Sequence, residues 1–100
     1  MPALNLSVPH NHDKNTAVEK LKSFSNKVRG RYGDEVSDVV ESWDGSHLNF
    51  GFRTRGMKIS GNIEVEDDQV KLEGTLPLAA MMFKGRIEKE VHTALRLALA

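Results

Sequence analysis

The chain has 100 residues, no cysteine, and 14 Lys plus Arg against 14 Asp plus Glu, for a formal net charge of zero. That length suits one domain, residues 1–100, with a modest core. The lack of cysteine excludes disulfides, thiolate zinc sites and thiol nucleophiles, and the balanced charge argues against a protein built to coat nucleic acid, whose binding rests on neutralising phosphates. The longest uncharged apolar run, Leu76 to Phe83, is far too short to span a bilayer. The opening Met1-Pro2-Ala3-Leu4-Asn5 lacks a basic region followed by an apolar stretch, so no secretory signal and a cytoplasmic location are expected.

Taken in chain order, Ala3 to Val8 alternates, with Leu4, Leu6 and Val8 on one face, and predicts a short strand ended by Pro9. His10-Asn11-His12-Asp13 is turn-like, and Asn11 or Asp13 suits a helix cap. From Lys14 to Tyr32 the apolar residues Ala17, Leu21, Phe24, Val28 and Tyr32 recur every three or four positions, predicting an amphipathic helix that stops near Gly30 and Gly33. Val36 to Trp43 is rich in strand formers and ends at Asp44-Gly45, a hairpin signal. Its adjacent Val39 and Val40 leave the facing open, and Trp43 suits either a lid or the core.

Leu48, Phe50 and Phe52 alternate next, then Met57, Ile59, Ile63 and Val65, then Val70, Leu72, Leu76 and Leu78. Clean alternation with short turns predicts an antiparallel meander with one wet face. A two-residue loop at Asp67-Asp68 places Ile63 opposite Leu72 and Gly61 opposite Gly74, both glycines facing inward. Facing glycines allow close packing or a bend, or leave a hollow for a ligand. After Pro77, a second amphipathic helix is predicted from about Ala79 to Leu99, with the stripe Ala80, Phe83, Ile87, Val91, Ala94 and Ala98 and with Leu95 beside it. The order β-α-β-β-β-β-α closes into an α+β two-layer sandwich, an antiparallel sheet with two helices on one face. Phe24, Val28, Phe50, Ile59, Ile63, Leu72, Phe83, Ile87 and Val91 are the expected core.

No constellation for catalysis emerges, so an enzyme is not expected. His10 and His12 could reach one metal, but His47 and His92 have no reason to join them; solvated or capping histidines are expected, with no metal and no cofactor. There is no Gly-x-Ser-x-Gly elbow, no pair of carboxylates in an apolar setting, and no phosphate-cradling glycine loop. Glu64, Glu66, Asp67 and Asp68 lack the spacing of a calcium loop. Phe50-Gly51-Phe52 echoes an RNA-stacking strand, but Asn49 and Arg53 break that pattern. Two basic clusters, Lys27 with Arg29 and Arg31, and Arg53 with Arg55 and Lys58, suit an acidic partner or a solvated surface.

The chain resembles the putative polyhydroxyalkanoic acid system proteins, a bacterial family named for genes found near those of polyester storage granules. The resemblance rests on the opening strand ending at His10, the helix with Ala17 and Leu21, Trp43-Asp44-Gly45, Leu48-Asn49-Phe50, Gly56-Met57, Ser60-Gly61, Val70-Lys71-Leu72, Leu76-Pro77 and the last helix around Ile87. It implies an accessory or binding domain with the granule, or granule-associated proteins, as partner. It supplies no reaction. The element order is also similar to that of ribosome-hibernation factors, which implies an RNA-binding alternative. A third reading is a small acyl or lipid carrier with a pocket between sheet and helices.

One surface stands out in the sequence. On a wheel of about 100° per residue centred on Ile87, Met81, Met82 and Leu99 fall about 120° or more from the stripe. They are the expected association surface, for a granule or a weak homodimer. The opposing reading starts the helix later and folds Leu78, Met81 and Met82 over the sheet edge as core.

Overall fold

A computed structural model of the protein describes residues 3–100, apart from the side chains of Arg31 and Tyr32. The expected places of Tyr32 in the first helix's stripe and of Arg31 in its basic cluster lie outside the described residues. The elements run β1 Ala3–Pro9, α1 Lys14–Tyr32, β2 Ser37–Asp44, β3 His47–Thr54, β4 Met57–Val65, β5 Gln69–Thr75, a 3₁₀ segment Leu78–Phe83, and α2 Lys84–Ala98. The five strands form one antiparallel sheet in the order β1-β5-β4-β3-β2. The fold is therefore α+β in the expected element order. β1 closes the meander by pairing with β5, the last strand.

Local chemistry sets these boundaries. Asp13 caps α1: its carboxylate accepts from the Thr16 N–H at 2.7 Å. That bond holds the Asp13 pKa below its ordinary 3.8. A carboxyl lowered in the folded state adds stability above its unfolded value, and the gain fades as the pH falls through the lowered one. The β3–β4 turn takes positive φ at both Arg55 and Gly56 (51° and 76°), the geometry that matches strand twist in a two-residue hairpin. At the next hairpin the register is as counted from the sequence: Ile63 faces Leu72 and Gly61 faces Gly74.

The core lies toward the end of the sheet where β1 runs into α1. Val8, Val65, Val70, Ala17, Val18, Leu21, Leu95 and Leu99 are all buried there. α2 lies over β1 and α1 over β4. With α2 over one edge strand and α1 over the middle strand, neither helix packs closely on β2 at the other edge. The β2 edge is left largely exposed as a result, including Val39 and Val40. Of the expected core, Ile63 and Leu72 are buried, while Phe24, Val28, Phe50, Ile59, Ile87 and Val91 are half-buried. Phe83 is not core at all, with 54% of its surface exposed.

The second helix also differs from expectation. Pro77 fixes an extended residue, and the Ala80 N–H then bonds the Pro77 carbonyl at 2.9 Å, so the chain enters a 3₁₀ turn first. The α-helix begins only at Lys84. Its buried residue is Leu95, about 80° round the wheel from Ile87. Recentring the stripe on Leu95 brings Leu99 to within about 40° of its middle. Leu99 is buried, with 6% exposure, and does not belong to the expected association surface.

Candidate functional site

The 3₁₀ segment holds the largest group of uncovered apolar side chains. Leu78, Met81, Met82 and Phe83 are all exposed, Met82 to 88%. Backbone geometry accounts for this. With three residues per turn, positions i and i+3 eclipse, so one row in three can face the protein. Pro77, Ala80 and Phe83 make that row; Ala80 is buried, whereas Phe83, where the 3₁₀ turn gives way to α2, is left exposed. The rows Leu78–Met81 and Ala79–Met82 are left to solvent. The helix does start late, yet Met81 and Met82 do not fold back as core. Sequence reasoning missed Leu78 and Phe83 as members of this surface. Their signal was Pro77, which imposes the extended residue that starts the 3₁₀ turn.

The glycine pair leaves no hollow between the layers. A Cβ on Gly61 would overlap the Glu73 carbonyl oxygen, and would sit 2.9 Å from Gly74 Cα and 3.0 Å from the Phe50 ring. Phe50 is the cross-strand partner of Gly61 and lies over it. Leu4, the partner of Gly74, approaches that glycine at 3.8 Å. The glycines therefore serve close packing. A shallow concavity of about 520 Å³ lies instead on the wet face of the sheet, where Asn5, Glu73, Asn62 and Asn49 make a polar row across four strands. An acyl carrier site between sheet and helices gains no support from this arrangement.

The histidines are structural rather than solvated. His10 is buried; its Nδ1 accepts from the His12 N–H at 3.1 Å, and its Nε2–H donates to the Glu66 carbonyl at 2.8 Å. His12 Nε2–H donates to the Leu99 carbonyl at 2.6 Å, and the two rings stack. The pair ties the end of β1 to the β4–β5 hairpin and to the end of α2. Among the described residues no group of three His, Asp or Glu side chains is placed to hold a metal. His10→Ala would leave the Glu66 carbonyl and the His12 N–H without these partners, and should lower stability by about 1–2 kcal/mol. Urea denaturation measures this, and an unchanged midpoint would mean that the latch is idle.

Two polar clusters complete the surface. Glu41, on the helix-facing side of β2, accepts from Ser25 Oγ, from Arg29 at 3.2 Å and from Trp43 Nε1 at 3.1 Å. Lys22 lies 5.5 Å from the Trp43 ring centroid. Trp43 is half-buried and packs against the core, so this cluster fastens α1 to the sheet edge. On the wet face His47 Nδ1 bonds Glu64 at 2.7 Å across β3 and β4. That pair is part-exposed, and Glu64 is flanked by Lys71 in register.

Fold and surface together define a small two-layer α+β domain with one uncovered apolar segment beside the sheet end. The chain belongs to the family of putative polyhydroxyalkanoic acid system proteins, whose family model matches residues 4–99. No curated protein and no solved structure matches it. Among the described residues, no helix is long and apolar enough to cross a membrane.

Proposed function

We propose that the protein is a non-enzymatic accessory domain that docks on the polyester granule, or on its protein coat, through the 3₁₀ segment. The observation that carries this reading is the group of Leu78, Met81, Met82 and Phe83, large apolar groups left uncovered on one short 3₁₀ segment. A cluster of this kind marks a contact surface more often than isolated apolar residues do. Methionine side chains adapt to an irregular apolar surface such as a polymer. Membership of the polyhydroxyalkanoic acid system family supplies the polyester as the apolar phase.

The test is co-sedimentation with purified polyhydroxybutyrate granules. Met81→Gln with Met82→Gln should weaken binding at least tenfold, since each buried apolar side chain is worth roughly 1.5–3 kcal/mol. The melting temperature should stay nearly unchanged, because exposed substitutions shift stability by about 0.5 kcal/mol or less. Equal binding by the double variant and the parent sinks the proposal. A loss of several kcal/mol of stability would place the methionines in the core and sink it as well.

A further inference from the structure

The charges of this neutral chain are sorted along the sheet axis. β5 ends at Thr75, paired with Ser60 of β4, and the 3₁₀ segment follows directly. β3 ends and β4 begins at this same end of the sheet, so the Arg55–Gly56 turn and the 3₁₀ segment leave it on one side. α2 starts there too. Exposed Lys27, Arg53, Arg55, Lys58 and Arg86, with half-buried Lys84, therefore lie toward the same end of the sheet as the apolar segment. The acidic groups at this end are Asp34, Glu35, Asp38, Glu88 and Glu90, the last engaged by Arg86 at 3.2 Å. Asp38 is engaged by Arg53 at 3.3 Å and Glu88 by Lys84 at 3.8 Å. The opposite end carries Asp13, Asp44, Glu64 and the Glu66-Asp67-Asp68 hairpin tip, against Lys14 and Lys71, which pair with Asp67 and Glu66.

A second observation singles out Arg55. Its φ of +51° lies in the left-handed region, where glycine or asparagine costs least and an arginine is strained. The hairpin needs this geometry, but an arginine at such a position on an exposed tip also points to a role in function. Bare polyester is uncharged along its length and makes no use of cations. An apolar wedge with free cations at the same end is instead complementary to a layer of anionic lipid, with the wedge among acyl chains and the cations on phosphates.

We infer that this end of the domain docks on an anionic phospholipid surface, with the Leu78–Phe83 wedge inserted and Arg55 and Lys58 on the headgroups. The inference rests on the 3₁₀ segment being the docking surface, as in the granule proposal, and adds the chemistry of what it meets. The domain then stands on its basic end, with its acidic end facing away.

The experiment measures the full chain on three surfaces: phosphatidylcholine vesicles, vesicles with about one-third phosphatidylglycerol, and lipid-free polyhydroxybutyrate particles. Binding is expected to the phosphatidylglycerol vesicles, weakly if at all to phosphatidylcholine, and to fall steeply with salt. Arg55→Asn with Lys58→Gln should lower it roughly 20- to 30-fold, with stability kept or raised because Asn suits the turn. The methionine double variant should lower it too. Equal binding to both vesicle types, or full binding by the basic-residue variant, overturns the inference. Binding to bare polymer particles but to neither vesicle overturns it while leaving the granule proposal standing. Binding to none of the three surfaces overturns both.

Discussion

Ile63→Asp is expected to leave the protein unfolded at room temperature. Ile63 sits in the middle strand of the sheet, 7% exposed, with buried Leu48 and Leu72 opposite it on the two neighbouring strands. The substitution forfeits roughly 1.5–3 kcal/mol of burial. It also forces an unpaired carboxylate into an apolar site, at a further cost of several kcal/mol. A domain of this size has about 5–15 kcal/mol in total. Ile87→Asp should be milder, because Ile87 is half-buried and its carboxylate can turn to water. Circular dichroism melts of both variants decide this. A cooperative melt of Ile63→Asp near the parental temperature would show that the inner face is wrongly assigned.

Gly61→Ala should cost about 3 kcal/mol, at the upper end for one added methyl, whereas Gly74→Ala should cost less than about 1 kcal/mol. The two glycines face each other, yet they are not equivalent. At Gly61 the added methyl meets backbone, the Glu73 carbonyl and the Gly74 Cα, which cannot move without parting β4 from β5. At Gly74 the nearest atoms are the Ser60 oxygen at 3.4 Å and the Leu4 side chain at 3.8 Å, close to ordinary contact. Chemical denaturation of both variants reads the difference. Equal losses would mean that the close approach at Gly61 is not what the sequence protects.

Much of the fold was legible because period and punctuation agree. The Lys14–Tyr32 helix and the β4–β5 register follow from spacing and from a two-residue turn, both local properties. What escaped were consequences of packing. Choosing Ile87 as the stripe centre put Leu99 outside, and running the wheel back to Ala79 put Phe83 inside, where Pro77 instead starts a 3₁₀ turn. His10 and His12 read as solvated or capping because nothing local reveals that the Glu66 and Leu99 carbonyls, far away in sequence, end up beside them. The candidate surface was half legible. Met81 and Met82 showed in the pattern, but the basic residues that share their end needed the sheet to bring the β3–β4 turn and the start of α2 together.

The uncovered β2 edge bears on what happens when many copies crowd onto one surface. A free outer strand offers a row of N–H and C=O groups on which a second copy could extend the sheet, and so on into a fibre. Here the register shifts between Ser37 and Val40, with Asp38 at a φ of +52°. Such a bulge bends the strand and breaks the regular spacing that a pairing partner would need. Without a regular row to pair with, a like strand is misaligned. Copies brought to high local concentration would then remain separate folded units, able to come off the surface one at a time.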